Sequence, residues 1–219
     1  MKSLFTLCLM AALGSRCTAQ GFINFNNTSS ASSKISIATV VGGPATVLTT
    51  GPAGSFIYAL FYAPNKVTTV GGSSGPVLPS VGGSFFVTSD SNWTFSGAYA
   101  QSSATPGRIS GNANQVVNGV GLAGNANFVI LGWSATIGPT VADFQNFLAN
   151  PSVPGYFGES AVHNLTLGDG NTVPTPTALG GASIPGFVLG TVYIPEPASL
   201  SLMALGGLAC LVARRKSKL

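Results

Sequence analysis

Between Gly21 and Ile194 the chain is written as short apolar runs of six to ten residues, each closed by Gly, Pro, Asn or Ser. Runs of that length suit strands and are too short for most helices, and the flanking residues are the ones that turns require. The pattern predicts strands at "FINFNN" from Phe22, "KISIATV" from Lys34, "SFIYALFYA" from Ser55, "SFFVTS" from Ser84, "NFVILGWSAT" from Asn127, "AVHNLTLG" from Ala161 and "GFVLGTVYI" from Gly186. That many strands exceed what one open sheet needs over a single core, so two layers are the economical packing. The expected fold is all-β: an antiparallel two-layer β-sandwich, jelly-roll-like. One segment breaks the pattern. In "TVADFQNFLANP", Thr140 can cap, Asp143 follows three residues on, and Phe144, Phe147 and Leu148 fall at helical spacing before Pro151. This predicts one short crossover helix over Val141–Ala149.

Such a fold must have a surface of hydroxyls and amides, because only 6% of the 219 residues are charged, against about 25% in ordinary soluble proteins. The formal net charge of +4 invites a nucleic-acid reading, since phosphate binding needs clustered bases. The distribution of charge removes it. Between Gly21 and Ile194 the bases are Lys34, Lys66 and Arg108, outnumbered by Asp90, Asp143, Glu159 and Asp169. No nucleic-acid partner is expected.

The basicity belongs to the two ends. Residues 1–19 carry Lys2, an apolar stretch from Leu4 to Leu13, and small residues before a cut after Ala19, which is the pattern of a secretory signal peptide. Cys8 and Cys17 fall in that segment and Cys210 falls in the C-terminal apolar run, so residues 20–193 contain no thiol. An exported ectodomain is expected there, without disulfide, Cys nucleophile or thiolate metal site.

The residues that could carry chemistry are sparse. Gly119, Gly121 and Gly124 have the G-x-G-x-x-G spacing of a dinucleotide cradle, but an apolar strand pattern follows them where a helix would be needed, so they read as a turn between strands. His163 is the only histidine and shares a strand face with Ala161, Leu165 and Leu167, so it reads as a hydrogen-bonded structural residue. No metal or other cofactor is expected. Asp90 in "SDSNW" and Asp169 in "GDGN" read as turn residues and Asp143 as helix N-terminal charge. The chain is therefore not expected to be an enzyme, although two of the four acids meeting across a cleft would suit glycan hydrolysis. Trp133 alternates with Val129 and Leu131 and reads as core. Trp93 is the candidate ligand contact, an aromatic face for a sugar ring. Asn27, Asn92 and Asn164 are formal glycosylation sequons.

The last twenty-six residues, 194–219, contain an acid between two prolines, then an apolar run, then four bases within six positions. Ala198 to Ala213 run sixteen residues without a charge, about 24 Å as a helix, short against a hydrocarbon core of roughly 30 Å. This predicts a C-terminal transmembrane helix that needs local thinning or snorkelling flanks. Arg214, Arg215, Lys216 and Lys218 supply those flanks and hold the C-terminus in the cytoplasm. Pro195 and Pro197 bar regular helix and leave Glu196 extended and accessible.

"IPEPASLSLMALGGLACLVARRK" resembles the C-terminal sorting signal of the PEP-CTERM family. The resemblance implies export, recognition by an exosortase-type processing enzyme, transient anchoring in the inner membrane by the C-terminal helix, and association with extracellular polysaccharide or biofilm material. It implies recognition through Pro195, Glu196 and Pro197, and a stop signal at Arg214, Arg215 and Lys216. Within the ectodomain, "NFVILGWSATIGPTVADFQNFLANPSVPGYFGESAVHNLTLG" and "AQGFINFNN" are similar to segments of uncharacterised PEP-CTERM proteins of Verrucomicrobia. The function expected is that of a cell-surface or extracellular-matrix protein, structural or adhesive, associated with exopolysaccharide. The alternatives are a carbohydrate-binding module and, behind it, a glycan-active enzyme.

Overall fold

The computed structural model describes residues 20–27, 30–39, 44–45, 47–76, 86–151, 153–180 and 183–191. The expected signal peptide, the expected transmembrane helix, and Pro195, Glu196, Pro197, Arg214, Arg215 and Lys216 lie outside the described residues. Among those described, no helix is long and apolar enough to cross a membrane.

The architecture is set by two long strands, β4 (Phe56–Ala63) and β8 (Asn125–Ser134). They pair antiparallel without a slip, from Phe56 opposite Ser134 to Ala63 opposite Asn127. Both read as nearly continuous apolar runs, so both of their faces must be covered. Alternation divides them between two cores. Phe56, Tyr58, Leu60, Phe128 and Ile130 point to one face, whereas Ile57, Ala59, Phe61, Val129, Leu131 and Trp133 point to the other.

Around this pair a nine-stranded sheet is built. β5 (Thr94–Ser102) and β6 (Ile109–Gly111) extend it beyond β4. On the other side, β9 (Tyr156–Glu159) and β10 (His163–Thr166) pair successive parts of β8. β12 (Val188–Thr191) pairs β9, then β2 (Ser36–Ile37) and β3 (Val47–Leu48) complete the order. A second sheet of three strands, β11 (Thr177–Leu179), β1 (Gln20–Asn27) and β7 (Gln115–Gly121), covers the first core through Ile23, Phe25, Val117, Ala178 and Leu179.

The opposite face is closed by α1 (Val141–Ala149) and the loops around Val70, Phe86 and Trp93. Its core is aromatic: Phe144 lies 5.3 Å from both Trp133 and Phe157, and Phe86 lies 5.0 Å from Phe157. The expected helix is present with its expected bounds. Thr140 Oγ1 accepts the Asp143 N–H while Asp143 Oδ2 accepts the Thr140 N–H, a complete capping box.

The mostly-β expectation holds, but the antiparallel two-layer sandwich does not describe the arrangement. The sheets are mixed, since β1 pairs β11 and β2 pairs β12 in parallel. The double-sided apolar character of β4 and β8 also demands a third layer of helix and loop. "SFFVTS" was expected as a strand, yet Val87–Ser89 form a 3-10 turn. β5 was not expected at all. There Gly97, at φ +85°, sits in a bulge between the Ala59–Tyr99 and Phe61–Phe95 pairs and interrupts the alternation that marks a strand.

Candidate functional site

Three of the four acids among the described residues build their own surroundings. Asp90 Oδ1 accepts the main-chain N–H of Asn92 at 3.0 Å and its Oδ2 accepts that of Gly71 at 3.0 Å. These bonds hold its carboxyl below the usual range. Asp143 closes the capping box. Asp169 takes hydrogen bonds from the Thr172 hydroxyl and from the amides of Asn171, Thr172 and Val173, which lower its pKa to about 2. The turn and cap roles read from the sequence are what these three residues do.

Glu159 differs. It ends β9 fully buried, and its Oε1 accepts the Val87 N–H. Its Oε2 and the Thr88 hydroxyl have no partner among the described residues. Burial, with a smaller contribution from the nearby Asp90 charge, pushes its pKa up to about 8. Asp90 itself lines an open cleft of about 260 Å³ with Gly71, Phe86, Ser89 and Ser91. Glu159 therefore lies near the Asp90 carboxylate as a buried acid whose neutral form is favoured, and it does not line the cleft. Among the described residues no three of His, Cys, Asp and Glu gather as a metal site.

The candidate ligand contact Trp93 is not presented to solvent. It is 6% exposed in the second core, and its indole N–H donates to the Thr69 carbonyl at 3.0 Å. A ring held on both faces cannot stack on a sugar, so Trp93 is corrected to a packing residue. Trp133 is core as expected, donating to the Gly138 carbonyl at 2.7 Å. His163 is half-buried on β10 opposite Phe128, and among the described residues its ring makes none of the expected hydrogen bonds.

The three glycines lie in β7 and the turn after it, which carries the chain from the small sheet to the large one. Gly119, at φ +90°, admits the Tyr62 hydroxyl to within 2.0 Å of where a Cβ would stand. That close approach explains the glycine without a phosphate. Asn27, one of the sequons, is buried and fully engaged: it donates to the Ser33 and Gly107 carbonyls and accepts the Ile109 N–H. Asn92 and Asn164 are exposed.

The sequence reading missed a groove at one end of the large sheet. Thr50, Ser55, Phe56, Ser134, Thr136, Pro154, Gly155, Tyr156 and Thr191 enclose about 360 Å³. Tyr156 is placed by the pairing of β9 with β12, which sets it opposite Thr191, and by the Ser134 hydroxyl, which accepts its N–H at 2.8 Å. Its ring leans on Phe56 at 6.4 Å and 52°. Ser55, Thr136 and Thr191 each donate their hydroxyl proton to a main-chain carbonyl, of Pro52, Pro154 and Ala38 respectively. The Tyr156 and Thr50 hydroxyls have no partner among the described residues. The signal that could have found the groove was the "YFGE" run, an aromatic pair opening a strand among loop hydroxyls.

No curated protein and no solved structure matches the chain. The profile of the PEP-CTERM protein-sorting motif matches residues 194–216, the stretch that begins three positions after the end of β12. This bears out the resemblance read from the C-terminal residues, and it implies an exosortase-targeted, exported chain transiently anchored at the membrane by its C-terminal region. The chain carries a PEP-CTERM protein-sorting motif at residues 194–216.

Proposed function

We propose that the ectodomain is a structural or adhesive component of the cell surface or extracellular matrix, delivered by its sorting motif and held there by contacts with exopolysaccharide. Pro195, Glu196 and Pro197 serve as the recognition step for the exosortase-type enzyme, and Arg214, Arg215 and Lys216 as the stop after the apolar run. The observation that carries this reading is the sorting motif joined to an ectodomain whose half-buried acids, Asp90, Asp143 and Asp169, are consumed in shaping its own turns and helix cap. Such a body offers hydroxyls and amides to its surroundings, and these exchange hydrogen bonds readily with a hydrated glycan. The test is to isolate the exopolysaccharide of the native host and follow the mature chain through glycan-specific digestion. Release of the protein with the digested polymer supports the reading, and a chain found free in the medium or only in the membrane overturns it.

A second reading has one observation in its favour. Glu159, with its pKa raised to about 8, lies near Asp90, whose pKa is lowered. Two carboxyls pushed apart in this way are what glycan hydrolysis uses as acid and base. Against it stands the burial of Glu159, which leaves it no open face toward a substrate. Release of reducing ends from neutral glycans, abolished by Glu159→Gln, would establish this reading; its absence would remove it.

A further inference from the structure

We propose that the groove between Phe56 and Tyr156 is a binding subsite for a neutral, hydroxyl-rich glycan. The proposal rests on the reading of the ectodomain as a polysaccharide-contacting body and names where that contact is made, in place of the buried Trp93.

Shape and rigidity come first. About 360 Å³ falls within the range of small-ligand sites, which run from about 300 to 1,000 Å³. The groove is built from paired strands: Tyr156 is opposite Thr191, and Phe56 is opposite Ser134. A site on such elements keeps its geometry when a ligand arrives. Tyr156 is half-buried, with Phe56 bracing one side of the ring. The outer part of the ring remains available to the axial C–H groups of a pyranose.

The hydrogen-bonding chemistry then selects the ligand. Each of the Ser55, Thr136 and Thr191 hydroxyls has spent its one proton on a main-chain carbonyl. What they can still offer is oxygen lone pairs, so the groove asks for a ligand rich in O–H donors. The Tyr156 phenol and the Thr50 hydroxyl, which have no partner among the described residues, can donate in return. An aliphatic side chain laid over these oxygens would strip their water and give no hydrogen bond back. That disfavours an apolar peptide and favours a sugar, whose hydroxyls both donate and accept.

Charge narrows the class further. None of the described lining residues is Lys, Arg, Asp or Glu. A uronate or sulfate entering the groove would lose hydration without finding a counter-charge. The expected occupant is therefore a chain of neutral hexoses, held through one ring on Tyr156 and its neighbours on the hydroxyl rim.

The test uses the full chain with its native processing, retained by affinity gel electrophoresis in dextran, a mixed-linkage β-glucan, galactomannan and, as the charged control, alginate. The unsubstituted protein should be retarded by at least one neutral polymer and run freely in alginate. Tyr156→Ala should lose retention tenfold or more, and Tyr156→Phe should keep most of it. Thr136→Glu, at the exposed rim, provides a second test that leaves the core untouched, and should also lose retention. Unchanged melting temperatures would show that the variants are folded. If the unsubstituted protein binds a neutral polymer and both Tyr156→Ala and Thr136→Glu bind it equally well, the groove is overturned while the polysaccharide reading stands. If the unsubstituted protein binds none of the polymers nor the host's own exopolysaccharide, both fall. Retention by alginate alone would overturn the neutral-ligand assignment.

Discussion

The carboxyl of Glu159, buried at the end of β9, accepts the main-chain N–H of Val87 across the second core. That amide is thereby tied to a side chain and is not available for a strand ladder, in keeping with the 3-10 turn that Val87–Ser89 form. The bond also ties the loop carrying Asp90 to the sheet.

Stability should fall as pH rises, in a window set by Glu159. Its ordinary pKa is 4.5 and burial raises it to about 8 in the folded chain. The folded state therefore keeps a proton that the unfolded state releases, and stability is lost progressively as pH climbs from about 4.5 to about 8, at up to about 1.4 kcal/mol per pH unit. Denaturant midpoints measured from pH 5 to pH 9 should decline, and Glu159→Gln, which keeps an acceptor for Val87, should flatten the decline. A wild-type profile without slope would contradict the assignment. At the acid end Asp90 and Asp169 act in the opposite sense, because their lowered pKa values withdraw stability as pH falls.

Asn27 should be the costliest polar residue to remove. It joins β1 to the turn before β6 through bonds to Ser33, Gly107 and Ile109, all between 2.9 and 3.0 Å. Asn27→Ala takes the acceptor from the buried Ile109 N–H and removes one bond from each of the Ser33 and Gly107 carbonyls, the latter still accepting the Ile35 N–H, a loss of roughly 2 kcal/mol or more. Chemical denaturation measures it directly. In a glycosylating host, sugar on the exposed Asn92 is compatible with the fold, whereas sugar on Asn27 is not, and sugar on Asn164 would displace its amide from Asn65, Ala126 and Asn127.

Trp93 should matter for stability and not for glycan binding. Trp93→Phe should cost about 1–3 kcal/mol through lost packing and the lost bond to Thr69, with retention in neutral polysaccharide unchanged. Both indoles are buried, so acrylamide should quench the native fluorescence poorly. Efficient quenching would contradict the placement of Trp93.

What was legible in the chain was local. The runs at Phe56 and Asn127 announced β4 and β8 because strands covered on both faces are continuously apolar, and Thr140 with Asp143 announced the helix through a spacing that needs no distant partner. β5 escaped because Gly97, Ser96 and Ala98 leave little hydrophobic alternation, and its bulge breaks what there is. The parallel pairs β1–β11 and β2–β12 join segments about 150 residues apart, and nothing local encodes such a partner. The groove was hidden for the same reason: Phe56, Ser134, Tyr156 and Thr191 come together only once four strands are aligned. Trp93 was misread because residue type alone does not tell an aromatic platform from an aromatic core.

The distance between the folded body and the sorting motif makes its own prediction. From Thr191 to Pro195 the chain has four steps, at most about 14 Å when fully extended. A processing enzyme that binds Pro195, Glu196 and Pro197 in extended form must work close against the end of the ectodomain that carries Thr191. Lengthening the connection with six Gly and Ser residues after Thr191 should accelerate processing in pulse-chase experiments, and a rate unchanged by the insertion would show that the folded end does not hinder access.

The central claim is that this chain is sorted and processed through its C-terminal motif. Intact-mass analysis of the protein from its native host, with and without the exosortase-type enzyme, tests it most directly. Normal cells should yield a chain lacking the apolar run and Arg214, Arg215 and Lys216, while cells without the enzyme, or carrying Glu196→Ala, should accumulate the form ending at Leu219. A C-terminus at Leu219 in normal cells would contradict it.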